Sequence, residues 1–157
     1  MPAIHHSKYT YTKPMIYMLI GSALILALSL GIRHGFGLYL VPMSHEFGWS
    51  HQVFSLAIAM QNLIWGAVQP FTGALADKYG SKIVVITGGI LYCIGLLLMA
   101  ISSTSWLLNL STGLITGFAL SATSFSVLLS AVGRAVPPEK RSMAMGIASA
   151  AGSFGQF

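Results

Sequence analysis

Three observations on these 157 residues predict an all-α integral membrane protein. Hydrophobic residues make up 55% of the chain and charged ones 7%, the apolar residues gather in blocks of roughly twenty, and the lysines and arginines other than Arg33 fall outside those blocks. A soluble domain carries about a quarter charged residues, so this composition argues against one. A formal charge of +5 suggests nucleic acid at first sight, but the basic residues are scattered and form no continuous patch. The single cysteine, Cys93, lies in an apolar run, which leaves neither a disulfide framework nor a cysteine metal cluster within one chain.

A helix needs about twenty apolar residues to cross some 30 Å of hydrocarbon at 1.5 Å per residue. Four complete blocks meet that need, at about 15–40, 53–76, 83–101 and 106–132, preceded by a polar tail over 1–13. A fifth block starts near Ser142 and is still apolar at Phe157, with no polar flank or basic anchor after "AAGSFGQF". Residues 14–157 therefore read as an incomplete N-terminal bundle of four spans plus the truncated start of a fifth. The first block is too long for a secretory signal core and lacks a clear cleavage site.

Orientation follows from the cations. With the N-terminus in the cytoplasm, Lys8, Lys13, Lys78, Lys82, Arg134, Lys140 and Arg141 all lie inside and the two outer loops hold no Lys or Arg, as the positive-inside bias requires. The expected location is a cell (plasma or inner) membrane, crossed several times.

Polar residues inside the blocks are costly and so carry information. At about 100° per residue, Ser22, Ser29 and Arg33 share a stripe of the first span. Asn62, Gly66, Gln69 and Gly73 share one in the second, and Asn109, Thr112, Thr116, Thr123 and Ser130 one in the fourth. Such stripes serve helix packing or line a water-filled cavity, and both readings stay open for each. Gly113 and Gly117 form a GxxxG, an unspecific match in a sequence with 17 glycines.

Arg33 is the most expensive residue, costing at least about 2.5 kcal/mol at a membrane centre. Helical side chains lean toward the helix N-terminus, so Arg33 points into the membrane, and no acidic residue of the four spans can neutralise it. Its partner is either an anionic ligand, with Arg33, Ser29, Thr116 and Asn109 as candidate substrate-binding residues, or an acidic side chain beyond this sequence. His34 is a conceivable proton-coupling group, but it lies some 100° off the arginine stripe. His45 and His51 are six apart, not the four that would bring two imidazoles to one helical face. No phosphate loop, nucleophile elbow or carboxylate pair is present, so no catalytic residue, cofactor or metal is expected and the chain does not read as an enzyme.

Between the second and third blocks, "GALADKYGSK" sets Gly73, Asp77, Lys78, Gly80 and Lys82 at the spacing G-x-x-x-D-[RK]-x-G-x-[RK]. In residue types and in topological position this resembles the signature loop of the major facilitator superfamily, with Ser81 where a further basic residue is usual. The flanking pieces "GLYLVPMSHEFGWS" and "QPFTGALAD", with Pro70, resemble the monocarboxylate and oxalate/formate carrier branch. The resemblance covers nearly the whole chain, but only the first four to five helices of a family built from twelve. It implies a secondary transporter for a small organic anion, a monocarboxylate in that branch, working by alternating access, with a coupled proton as an option. It also implies a conformational latch at Gly73, Asp77, Lys78, Gly80 and Lys82, with Arg134 as a partner for Asp77 within this chain. The plainer reading of Lys78 and Lys82 is that they only set topology; Asp77 with both glycines favours the latch. The expected partners are the lipid bilayer, a small organic anion and the missing C-terminal half, and no nucleic acid; the fragment alone is expected to be inactive. The alternatives are a drug or sugar carrier of the same superfamily, a small homodimeric transporter and a non-transporting membrane scaffold.

Overall fold

A computed structural model describes residues 13–157, and within them every regular element is helical. Lys8, one of the topology-setting cations, lies outside the described residues. Helix α1 (Lys13–Gly35) passes through a 3-10 turn (Phe36–Tyr39) into α2 (Leu40–Phe47). The first apolar stretch is thus helical through to Phe47, past the bound near residue 40 that the sequence suggested, and much of the expected outer loop is helix. Pro42 falls in the first turn of α2, where its missing N–H costs no intrahelical bond. Gly48, at φ +64°, then ends α2 in the left-handed conformation that glycine adopts without a Cβ penalty.

Next comes α3 (His51–Tyr79), 29 residues with Pro70 inside it, separated by Gly80 alone from α4 (Ser81–Ala100). The 106–132 block is not one uniform helix. It consists of α5 (Ser105–Leu108), a π segment (Asn109–Ile115) and α6 (Thr116–Ala122), then a break at Thr123 and Ser124 before α7 (Phe125–Ala135). Thr104 caps its start, its Oγ1 accepting from the Leu107 N–H at 3.3 Å. Pro138 opens α8 (Pro138–Phe154), with Glu139 in the first turn, where the helix dipole favours an anion.

Three stretches are long and apolar enough to cross a membrane: Lys13–Phe47, Ser81–Ala100 and Ser105–Ala135. Four were expected. Helix α3 has the length, but Gln61, Asn62, Gln69 and the Asp77–Lys78 pair lower its apolar character; α8 has 17 residues.

The 105–122 stretch is the axis of the bundle, with α3 packed on one side and α4 on another, while α1 and α7 hold α8. Without a hydrophobic drive between helices in lipid, association depends on close van der Waals packing, and glycines set the approach. A Cβ on Gly88 would lie 2.6 Å from the Ala122 Cβ, and one on Gly95 2.6 Å from the Thr116 Oγ1. Gly113 and Gly117 press on α3 in the same way, 2.9 Å from the Met60 Cε and 2.9 Å from the Ile64 Cβ respectively. The GxxxG that looked unspecific in the sequence is therefore a packing seam. Gly31 and Gly155 play this part where α1 crosses the end of α8.

Apolar clusters close the two ends. Phe36, Phe54, Ala57, Met99 and Leu108 pack at one end, while Val132, Val136 and Ala144, with Met15 and Leu19, pack at the other. The second end also gathers the α3–α4 junction, through an Asp77–Arg134 ion pair, and the start of α8, through Arg141 beside Gly133.

Two stability predictions follow from this packing. Gly88→Ala should lower the thermal midpoint in detergent, because overpacking costs about 1–3 kcal/mol. The adjacent Gly89→Ala, where a Cβ meets nothing within 4 Å, should leave it unchanged or slightly raised. Gly80 sits at φ +90° and ψ 139° between two helices, so Gly80→Ala should cost about 1–3 kcal/mol. Asp77→Asn, which breaks an exposed ion pair, should cost under about 1 kcal/mol. Melting curves of the four variants check both orderings.

Candidate functional site

Helix α3 carries Asn62, Gly66, Gln69, Gly73 and Asp77 at steps of four, three, four and four, which sets them on one helical face. A Cβ added at Gly66 or Gly73 would meet nothing within 4 Å, so among the described residues no other element covers this face at those points. Its polar side chains instead reach sideways to α1 and α7.

At one end, the Arg33 Nη2 of α1 donates to the Asn62 Oδ1, and the guanidinium lies 5.0 Å from the centre of the Trp65 ring. Asn62 is held in turn by its own Nδ2, which donates to the Ile58 carbonyl at 3.0 Å. Arg33 belongs to the last turn of α1, while Asn62 and Trp65 lie eleven and fourteen residues into α3. Two buried donors have no partner among the described residues: Arg33 Nε and Trp65 Nε1. The three acidic residues of the sequence are Glu46, Asp77 and Glu139. None of them pairs with Arg33; Asp77 is taken by Arg134.

Midway, the Gln69 Nε2 donates to the Ser126 Oγ of α7 at 3.2 Å, and Ser126 meets Ser124 at 2.9 Å. At the far end, the Arg134 Nη1 donates to the Asp77 Oδ1 at 2.9 Å and to the Ser130 Oγ at 2.6 Å. Lys78 and Lys82 are exposed, and the Lys78 Nζ sits 5.1 Å from the centre of the neighbouring Tyr79 ring. Gly80 supplies the turn between α3 and α4, and Gly73 lies on the uncovered face.

The four residues expected to bind substrate do not converge. Ser29 is buried, its Oγ donating to the Ile25 carbonyl at 2.7 Å and its carbonyl accepting from the Tyr92 hydroxyl at 2.9 Å, so it fastens α1 to α4. Thr116 is buried with its Oγ1 donating to the Ser111 carbonyl at 2.8 Å, against Gly95 of α4. Asn109 donates to the Ser105 carbonyl at 2.8 Å and lines a separate hollow with Leu56, Met60 and Trp106. On α3, Leu56 and Met60 point nearly opposite to Asn62. Arg33 is the member that meets the α3 face. Its closest partners, Asn62 and Trp65, were not among the expected ligands. The stripe that holds Asn62 is readable in the sequence, whereas the pairing with Arg33 needs the placement of the two helices in space.

His34 is exposed, with its Nδ1 2.9 Å from the Leu30 carbonyl, and it does not join the Arg33 cluster. His45 and His51 line one shallow hollow with Ser44 and Trp49. Among the described residues no group of three or more metal-ligating side chains is assembled.

The comparison with known proteins bears on this arrangement. Multidrug resistance protein MdtH of Proteus mirabilis (strain HI4320) is 30% identical over 95 residues, 60% of this chain and 23% of that protein. Its namesake from Yersinia pestis (strain Pestoides F) is 32% identical over 85 residues, 54% of this chain and 21% of that protein. The match spans less than a quarter of either relative's length. These relatives carry a multidrug resistance name, and they give no support to the monocarboxylate and oxalate/formate branch that the flanking pieces suggested. A model described as Major Facilitator Superfamily matches residues 14–157. An all-helical chain with three apolar membrane-span candidates, matched by that model over all but its first 13 residues, belongs to the Major Facilitator Superfamily.

Proposed function

We propose that the chain supplies the first helices of the N-terminal bundle of a secondary transporter, which moves an organic solute by rocking two bundles about a site near the membrane midplane. In this reading α3 is a fourth complete span, α8 begins a fifth, and the N-terminus lies in the cytoplasm of a cell with this protein in its plasma or inner membrane. The uncovered polar face of α3 lines the path, and a second bundle completes it. The relatives' multidrug name supports a drug-type cargo over a monocarboxylate.

One observation carries the choice of site: Arg33 Nε and Trp65 Nε1 are buried donors without partners among the described residues, beside a guanidinium that none of Glu46, Asp77 and Glu139 pairs with. A cluster with spare donors favours cargo that brings an acceptor, best a negatively charged one. The flat Trp65 ring adds an apolar wall. The same unneutralised Arg33 favours the second reading, a small monocarboxylate as cargo. At the other end, Asp77 and Arg134 are an exposed pair that can exchange partners, which suits a latch among Gly73, Asp77, Lys78, Gly80 and Lys82.

In a chain that carries both bundles, Arg33→Gln should lower uptake by about ten- to a hundredfold, the loss of one charge-assisted contact to cargo. Cys93→Ser, at an exposed site far along α4, should leave uptake at the parent rate. Competition by small carboxylates, set against aromatic drug-like anions, separates the two cargo readings. The 157 residues alone should not transport. Vesicle uptake by them at the rate of the longer chain would sink the two-bundle reading, and full activity of Arg33→Gln would sink the site.

A further inference from the structure

Beside the joint of α3 and α4, on a different side of α3 from Asn62, runs an apolar groove of about 470 Å³. Val84, Gly88 and Ala122 form its buried floor, while Phe71, Leu75 and Tyr79 stand exposed along one wall. On α3 it extends from Val68 to Tyr79, about 16 Å at 1.5 Å per residue. One leaflet contributes about 15 Å to the hydrocarbon, so the groove has the depth of a leaflet.

Charge enters at one end. Tyr79 both lines the groove and meets the Lys78 Nζ, which sits 5.1 Å from the centre of its ring. Four residues on, across Gly80, Lys82 lines the neighbouring hollow on the α1 side of α4. Neither lysine pairs with a carboxylate among the described residues, and the adjacent Asp77 is engaged by Arg134. Tyrosine favours the level of lipid headgroups, where its ring lies in apolar surroundings and its hydroxyl meets water. Tyr79 therefore joins an acyl-like environment to an ammonium group.

We propose that this groove seats an acyl chain of an anionic phospholipid, with the headgroup phosphate drawn to Lys78 and Lys82. The inference rests on reading α3 and α4 as membrane spans, but not on what the protein carries. Apolar walls of leaflet depth with cations at the headgroup end are complementary to such a lipid, and each lysine near the membrane surface favours an acidic headgroup about fivefold. A polar solute fits worse. Apart from the Tyr79 rim, the hydroxyls of the lining are those of Thr72 and Thr87, and the Thr72 Oγ1 already meets the Ser121 Oγ at 2.8 Å. A second copy docked here by two-fold symmetry fits worse too, because it would set these lysines near their own counterparts.

Titrating phosphatidylglycerol into the purified 157-residue chain in detergent, with bound copies counted by native mass spectrometry, tests this. It should bind about ten- to thirtyfold tighter than phosphatidylcholine with the same acyl chains. Lys78→Gln should cut that preference about fivefold, and adding Lys82→Gln should abolish it. Thr87→Trp, which fills the groove from an exposed position, should bring phosphatidylglycerol down to the phosphatidylcholine level. Equal binding of the two lipids overturns the proposal and leaves the lysines as topology signals. A preference that survives the double substitution puts the phosphate elsewhere, and one that survives Thr87→Trp leaves the groove out; either result overturns it. For variants that fail to fold, the unaltered chain in phosphatidylcholine nanodiscs decides. Phosphatidylglycerol with a diazirine on its acyl chain should label Phe71 and Leu75 several-fold more than the matching phosphatidylcholine probe. Label on the exposed Leu24 and Leu28 of α1 without that excess strikes the lipid site alone, whereas a chain unlabelled throughout strikes the membrane reading as well. Arg33→Gln should bind lipid as the unaltered chain does, so the cargo site and the lipid site fail separately.

Discussion

Close approach of helix backbones is the constraint on which the bundle rests. In lipid, burial of apolar side chains gains little over contact with acyl chains, so helices hold together where small residues bring main chains into contact. Gly88 and Gly95 on α4, and Gly113 and Gly117 on the central helix, occupy such points, with atoms of Ala122, Thr116, Met60 and Ile64 respectively where a Cβ would go. The central helix can be pressed from two sides because it spends its own glycines on α3 and receives those of α4.

That arrangement uses up the hydroxyl-rich surface of the 105–122 stretch in packing and leaves the polar surface of α3 free. Ser111, Thr112, Thr116 and Ser121 are all buried. The face bearing Asn62, Gln69 and Asp77 is engaged only at its margins, by Arg33, Ser126 and Arg134. Each of those margins is a single contact to a neighbouring helix, with glycine between. A surface held in this fashion stays polar and open without becoming loose.

Much of this was legible in the sequence. The helical class, the separation of cations from spans, the stripe on α3 and the cost of Arg33 all follow from periodicity and charge, which act through one helix at a time. What escaped depends on two helices together. Ser29, Thr116 and Asn109 looked like ligands because a hydroxyl or amide stripe reads the same whether it meets water or a neighbouring backbone. Only the hydrogen bond from the Tyr92 hydroxyl of α4 to its carbonyl shows that Ser29 is committed to packing. The Arg33–Asn62 contact joins residues 29 apart in the chain, beyond any local pattern. The π segment and the break at Thr123 were equally invisible, since "NLSTGLI" and its surroundings have no proline or charge to mark a change of register. Helix α3 shows the opposite case: its polar residues, plain in the sequence, make it the least membrane-like of the long helices.

Gly80 has a mechanical consequence. With one residue between α3 and α4, there is no slack in that joint. Any tilt or roll of the helix that bears the polar face is handed to its successor, and through the Gly88 and Gly95 contacts to the axis. The three rods must turn as one solid piece, so any large relative motion has to be found outside this joint.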